Sequence, residues 1–192
     1  MKETLKLGLT LLIIAAIAGG VLSGVNSVTE PIITEMKKEA AYGAFFDIFE
    51  EADDFAEIDE ALLEDIIEEE KAMTEVLEAL DASEEKIGYI LQVRSGGYGG
   101  DMVTALGVNL DGTLAGMKVV DHSETPGIGD KIEDASFTDS FVEKSAEADL
   151  KAVDSPAAED EVQMISGTTV SVNAVVNGVN RALGVYRDFL VE

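Results

Sequence analysis

Twenty-two consecutive residues, Leu7 to Val28, carry no charge. At about 1.5 Å of helical rise per residue, such a run crosses a hydrocarbon layer of roughly 30 Å. Lys2 and Lys6 precede it, and Glu30, Glu35, Lys37 and Lys38 follow. Basic residues at the short end place that end in the cytoplasm. The remaining chain is then expected outside, in the periplasm or at the cell exterior. Ser23 and Gly24 are small enough for a cleavage site. The apolar core of a cleaved signal peptide is about 7–15 residues, however, so the length favours a retained anchor. Gly19, Gly20 and Gly24 allow close approach of another helix, though glycine is common in membrane helices generally.

The rest of the chain is strongly acidic. It contributes most of 39 Asp and Glu against 13 Lys and Arg, for a net charge of −26. That charge excludes a nucleic-acid partner, because too few cations are present to replace the counterions of a phosphate backbone. It also disfavours peripheral binding to anionic lipid. Without cysteine there is no disulfide, iron–sulfur cluster or thiolate metal site. A single histidine, His122, leaves little scope for a His-rich metal site or a catalytic triad. At 46% hydrophobic residues, the chain has enough apolar side chains for a packed core.

Residues 30–80 hold 18 of the acidic residues. Phe55, Ile58, Leu62, Leu63, Ile66, Ile67, Val76, Leu77 and Leu80 recur there at helical spacing, which predicts one or two amphipathic helices with a solvated acidic face. From Ile87 the pattern turns to β. Strands are expected over Ile87–Val93, Met102–Asn109 and Thr113–Val120, the last two joined at Asp111-Gly112. Residues 133–160 read as short helix and loop. A C-terminal helix carries Val172, Val175, Val176, Val179, Leu183, Tyr186 and Leu190 near one face, with Ser171 as a candidate N-cap. The expected fold is α+β: one transmembrane helix, then a soluble domain with a twisted, mostly antiparallel sheet and flanking helices. The organisation divides into 1–30 (stub and membrane helix), 31–85 (acidic helical region) and 86–192, with 31–192 forming one soluble domain.

Three glycine-containing stretches are candidates for chemistry. Ser95 to Gly100 follows a strand but does not match a dinucleotide fingerprint, and alone it reads as a flexible connection. Glu124 to Gly129 is ordinary turn chemistry; Glu124 beside His122 raises acid–base work as the sharper reading and a solvated pair as the plainer one. Ser166-Gly167-Thr168-Thr169 lies just before the last helix. Unpaired N–H groups at a helix start suit a phosphate, although capping alone also accounts for hydroxyls there.

Taken together, the three stretches resemble a family. Val28-Thr29-Glu30-Pro31-Ile32 closes the span. Gly97-Tyr98-Gly99-Gly100 leads through the hairpin to Ser123-Glu124-Thr125-Pro126-Gly127-Ile128-Gly129. Ser166-Gly167-Thr168-Thr169 opens the Ala174-Val175-Val176 helix. In this order they resemble the G subunit of the Rnf electron-transport complex, and more distantly the C subunit of the sodium-pumping NADH:quinone reductase. The resemblance implies FMN joined through its phosphate to a threonine by a separate flavinyltransferase, at a motif of aspartate, two residues, then Ser/Thr-Gly-Ala-Thr. The modified residue here is then Thr169. Gln163 stands where aspartate is usual, and Thr168 where alanine is usual, which puts a second hydroxyl beside the target. By the chemistry of the stretch itself, Gly167 lets the backbone approach a phosphate, and the hydroxyls of Ser166, Thr168, Thr169 and Ser171 are further donors. The resemblance further implies that Glu124, Thr125, Gly127, Tyr98 and Gly99 line the isoalloxazine. The implied function is electron relay within an ion-translocating ferredoxin:NAD⁺ oxidoreductase. The implied partners are the other membrane and redox subunits, with no catalytic residue or metal in this chain. The readings kept beside it are the corresponding quinone-reductase subunit, a free-standing extracytoplasmic flavoprotein, a cofactor-free anchored binding module and, more distantly, a hydrolase.

Overall fold

A computed structural model describes residues 2–191. The chain divides into two units, residues 1–40 and 41–192. The described residues of the first, 2–40, are helical and belong to α1, Lys2–Ile48. It is long and apolar enough to cross a membrane, and its Leu, Ile and Val side chains are exposed. Pro31 lies within α1 and lacks the N–H that would reach back one turn. Around it, the hydroxyls of Ser27, Thr29 and Thr34 donate to the carbonyls of Ser23, Val25 and Glu30 at 2.8–2.9 Å. Their polar atoms are thereby satisfied within the helix, as an apolar surrounding requires.

The second unit is built on a five-stranded antiparallel meander: β1 Asp54–Glu57, β2 Met73–Leu80, β3 Lys86–Gly96, β4 Asp101–Asn109 and β5 Leu114–Asp121, side by side in chain order. Helix α2, Glu60–Glu69, connects β1 to β2; the Asp59 carboxylate caps it by accepting the Ala61 and Leu62 N–H groups. After β5 come 3₁₀ turns around α3, Ala135–Thr138, then a short parallel pair, β6 Lys151–Val153 and β7 Glu161–Gln163. Helix α4, Thr169–Val185, lies on β3 and β4 and ends in a π-helical turn, Tyr186–Leu190.

Side chains alternate across the sheet, so it builds a core on each face. Tyr89, Leu91 and Val93 of β3, with Met102, Leu106 and Val108 of β4, meet Val172, Val175, Val179 and Leu183 of α4. On the opposite face, Leu77, Ala79, Ile90 and Ala105 meet Phe45, Ile48 and Phe49 from the end of α1. Glycines make room there. A Cβ on Gly88 would lie 2.6 Å from Phe49 Cζ, and one on Gly107 would collide with Ile48.

The α+β class, the N-terminal apolar helix, the antiparallel sheet and the C-terminal helix match the sequence expectations. Helix over most of residues 55–80 does not. Only α2 is helical there, and β1 and β2 are strands. The physical reason lies in β2, which is covered on both faces, by Val76 on one side and Leu77 on the other. Its apolar residues therefore fall consecutively instead of alternating. The four-residue β1 is too short to show a period.

Candidate functional site

Three segments converge on a cavity of about 370 Å³ at the start of α4: the β3–β4 hairpin tip, the loop after β5, and the turn before α4. Tyr98, Glu124, Thr125, Ile128, Gly129, Gly167, Thr168, Thr169, Val170 and Ser171 line it. The two turns before α4 and after β5 are glycine-dependent. Gly167 has φ +84° and Gly127 has φ +76°, both in the left-handed region. The Gly127 N–H donates to Asp130 Oδ2 at 2.8 Å, and the Thr125 carbonyl accepts from Ile128 and Gly129.

Glu124 holds these segments together. It is 6% exposed. Its Oε1 accepts the backbone N–H groups of Tyr98 at 2.7 Å and Gly99 at 3.2 Å, and its Oε2 accepts the Ser171 hydroxyl at 2.9 Å. The carboxylate thus ties the hairpin tip to the first turn of α4. Two glycines give it space: a Cβ on Gly129 would sit 2.5 Å from Glu124 Oε2, and one on Gly97 would overlap Oε1. Gly99 in turn makes room for the Ser123 carbonyl. Both carboxylate oxygens are bound by protein donors.

His122 lies outside the cavity lining. Its Nδ1 accepts the Glu124 backbone N–H at 3.1 Å, which leaves the ring proton on Nε2, facing Glu133 Oε1 at 3.0 Å. The expected solvated His122–Glu124 pair is therefore corrected: Glu124 is buried, and the two residues are joined through backbone.

The threonines before α4 differ in environment. Thr168, the N-cap by position, is 4% exposed, and its hydroxyl donates to the Ile128 carbonyl at 2.9 Å. It consequently makes no capping bond. Thr169 is exposed, opens α4 and lines the cavity. The first N–H groups of α4 have no side-chain cap, so the helix presents partial positive charge to the cavity. Ser171 is not the N-cap expected from sequence; it sits within the first turn, committed to Glu124.

Among the residues singled out in the sequence, Thr169, Gly167, Thr168, Glu124, Thr125 and Tyr98 line the cavity. Gly127 and Gly99 shape its loops from behind, and Ser166 is exposed beside it without lining it. Ser171, a hydroxyl donor expected from sequence, lines the cavity too, whereas Ile128, Gly129 and Val170 are additions of the structure. The available signal was an isoleucine within a polar turn and a valine on the first turn of a helix. Ile128 and Val170 are each 54% exposed and Tyr98 is 75% exposed. The mouth is thus apolar on a surface that is otherwise acidic, as small-molecule sites commonly are.

Residues 97–184 match the FMN-binding domain family. Across its length the chain is similar to the G subunit of the Na(+)-translocating ferredoxin:NAD(+) oxidoreductase complex of Acetobacterium woodii, with 33% identity over 97% of this chain and 93% of the relative. It is 28% identical to the G subunit of the ion-translocating oxidoreductase complex of Methanosarcina acetivorans, over 95% and 94% of the two chains. Among solved structures it resembles the C subunit of the Na(+)-translocating NADH-quinone reductase from Parabacteroides distasonis. That match has a TM-score of 0.53 and 25% identity, and covers 61% of this chain and 62% of the other. A membrane-length helix, an FMN-binding domain match running from β4 to α4, and near full-length similarity to these proteins lead to one assignment: the chain belongs to the family of G subunits of ion-translocating oxidoreductase complexes.

Proposed function

We propose that this chain is the membrane-anchored FMN flavoprotein subunit of an ion-translocating ferredoxin:NAD⁺ oxidoreductase, with the cofactor joined by a phosphoester to Thr169. The observation that carries the site is the contrast between neighbouring hydroxyls. Thr168 is buried and spent on the Ile128 carbonyl, whereas Thr169 is exposed at the cavity. A transferase can reach only an exposed hydroxyl, so Thr168 does not compete despite standing where the family motif has alanine.

The lining fits the group. The start of α4 offers backbone donors to a phosphate, and Gly167 leaves open space where a side chain would stand. The cavity volume falls in the range of small-molecule sites. Tyr98, Ile128 and Val170 supply apolar surface for a planar ring system, and Glu124 fixes the hairpin that carries Tyr98. When bound, the flavin would supply the electron chemistry, with Tyr98, Ile128 and Val170 holding its apolar part. Ferredoxin and NAD sites then belong to partner subunits, and a flavinyltransferase is needed for maturation. Similarity to G subunits over nearly the whole chain favours this reading over the corresponding quinone-reductase subunit, whose structure matches under two thirds of either chain.

The test is intact mass with peptide mapping on chain co-produced with a flavinyltransferase. A stable gain of about 440 Da on Thr169 is expected, with colourless protein from Thr169→Ala and retained flavin in Thr168→Ala. Flavin on Thr168 displaces the site by one residue. Colourless wild-type protein instead supports the cofactor-free binding module.

We also propose that residues 1–6 are cytoplasmic and the domain extracytoplasmic, on the strength of Lys2 and Lys6 before the span. The chain has no cysteine, so a single Glu64→Cys on the exposed face of α2 is a clean reporter. A membrane-impermeant maleimide is expected to label it in intact cells, or in spheroplasts where an outer membrane intervenes. Labelling only after lysis reverses the topology.

A further inference from the structure

A second cavity, of about 530 Å³, follows the first along α4, and its chemistry is different. Lys71, Arg94 and Arg181 line it, coming from the turn before β2, the end of β3 and the body of α4. Their convergence is built into the backbone. The Arg94 N–H donates to the Ala72 carbonyl at 2.7 Å, which sets Lys71 and Arg94 side by side. Gly178 lets α4 close on β3, where a Cβ would lie 3.3 Å from Ser95 Oγ.

The charge pattern is what calls for a ligand. With three acidic residues for every basic one in the chain, a cation finds a carboxylate easily. Lys86, Lys118, Lys151 and Arg187 each do so. Among the described residues, Arg94 and Lys71 make no such pair. Arg181 pairs with Glu70 Oε1 at 3.6 Å, an oxygen shared with the Ala72 N–H at 3.0 Å, and keeps its remaining donors toward the cavity. Two carboxylates, Glu70 and Asp101, line the same cavity, so the lining keeps a net positive charge against the sign of the whole molecule. Lys71 also borders Asp65, Glu68 and Glu69, which places it at the rim and makes Arg94 and Arg181 the central pair. The Ser95 hydroxyl is buried in the wall beneath Gly178, where it has no partner among the described residues. Asn177 contributes an exposed amide.

We propose that Arg94, Arg181 and Lys71 form a binding site for a small oxyanion of the carboxylate or phosphate class. Planar guanidinium groups bind both kinds through paired N–H donors, and the anion supplies the acceptor that Arg94 lacks. The site shares two walls with the flavin cavity. Ser95 and Gly96 lie on the β3 arm that continues into Tyr98, and Asn177 and Arg181 lie about two and three turns beyond Thr169. An anion here braces the arm whose tip Glu124 holds.

The experiment titrates the detergent-solubilised full chain, produced without flavinyltransferase, with inorganic phosphate and separately with succinate. Calorimetry is run at ionic strength fixed with sodium chloride. Saturable binding of at least one anion is expected, weakened about tenfold or more in Arg94→Gln and in Arg181→Gln. The exposed Lys118→Gln variant should bind as wild type. Preference for phosphate or succinate tells which oxyanion class the site takes. Absence of saturable binding overturns the proposal, and so does binding untouched by both arginine substitutions. Phosphate held at the start of α4 would survive those substitutions and counts against the site. None of these outcomes depends on flavin, so they leave the assignment of Thr169 to its own test.

Discussion

At the scale of single residues, Glu124 is the most consequential side chain around the cavity. A buried carboxylate is costly unless its lone pairs are filled, and here three donors fill them. Replacing it with alanine strands two backbone N–H groups and the Ser171 hydroxyl. Glu124→Ala is therefore expected to destabilise the chain by about 2–4 kcal/mol, read as thermal unfolding in detergent. Glu124→Gln keeps an acceptor for the two N–H groups and turns its amide to Ser171, whose oxygen can accept. Its cost should be under about 1.5 kcal/mol. Equal losses in the two variants would show that the residue matters for shape and not for its hydrogen bonds. Thr168 illustrates the opposite case, a hydroxyl buried and committed to a backbone carbonyl.

At the scale of elements, the meeting of α1's last turns with the sheet depends on absent side chains. Gly88 and Gly107 sit under Phe49 and Ile48, and a methyl on either has nowhere to go. Gly88→Ala and Gly107→Ala should each cost about 1–3 kcal/mol by overpacking. Gly116 lies on the same sheet with its nearest neighbour 3.8 Å from a Cβ, so Gly116→Ala should be close to neutral. If all three behave alike in a thermal melt, the close seating of Phe49 and Ile48 is not what the glycines serve. The same seating explains the strand identity of β2. Covering both faces of the sheet makes consecutive apolar residues favourable there.

At the scale of the molecule, charge dominates. A net charge of −26 on 192 residues opposes compaction by self-repulsion. Raising salt from about 0.01 M to about 0.1 M shortens the screening length from about 30 Å to about 10 Å. The unfolding midpoint at neutral pH should rise accordingly, and a fall would mean that the surface ion pairs outweigh the repulsion. The acid side has a different origin. Hydrogen bonds from Thr113 hold Asp111 below the usual carboxylate range, and Lys151 does the same for Asp160. The Ala157 and Ala158 N–H groups lower Glu161. Their folded values lie below their unfolded ones, so their stabilisation is present above about pH 4 and is lost as pH falls through the folded values. Lowering the pH from neutral toward about 5 relieves repulsion first. Stability should therefore pass through a maximum on the acidic side of neutral before falling, as followed by the melting midpoint across pH.

Much of this was legible in the sequence because it rests on local chemistry. An uncharged run of membrane length, alternating strands around Asp111-Gly112 and an apolar stripe from Val172 to Leu190 each carry their own period. Glycines at turns that need positive φ, such as Gly127 and Gly167, are local signals of the same kind. What the sequence could not show depends on groups far apart in the chain. Glu124 and Ser171 are 47 residues apart, and nothing local to either predicts that one bridges to the other. Which of two adjacent threonine hydroxyls is free was decided by the Ile128 carbonyl, 40 residues away. Lys71, Arg94 and Arg181 are likewise scattered single cations in an acidic chain until β3 and α4 bring them to one cavity. Periodicity is a property of neighbours along the chain, whereas burial and hydrogen-bond partnership are set only when distant segments close on one another.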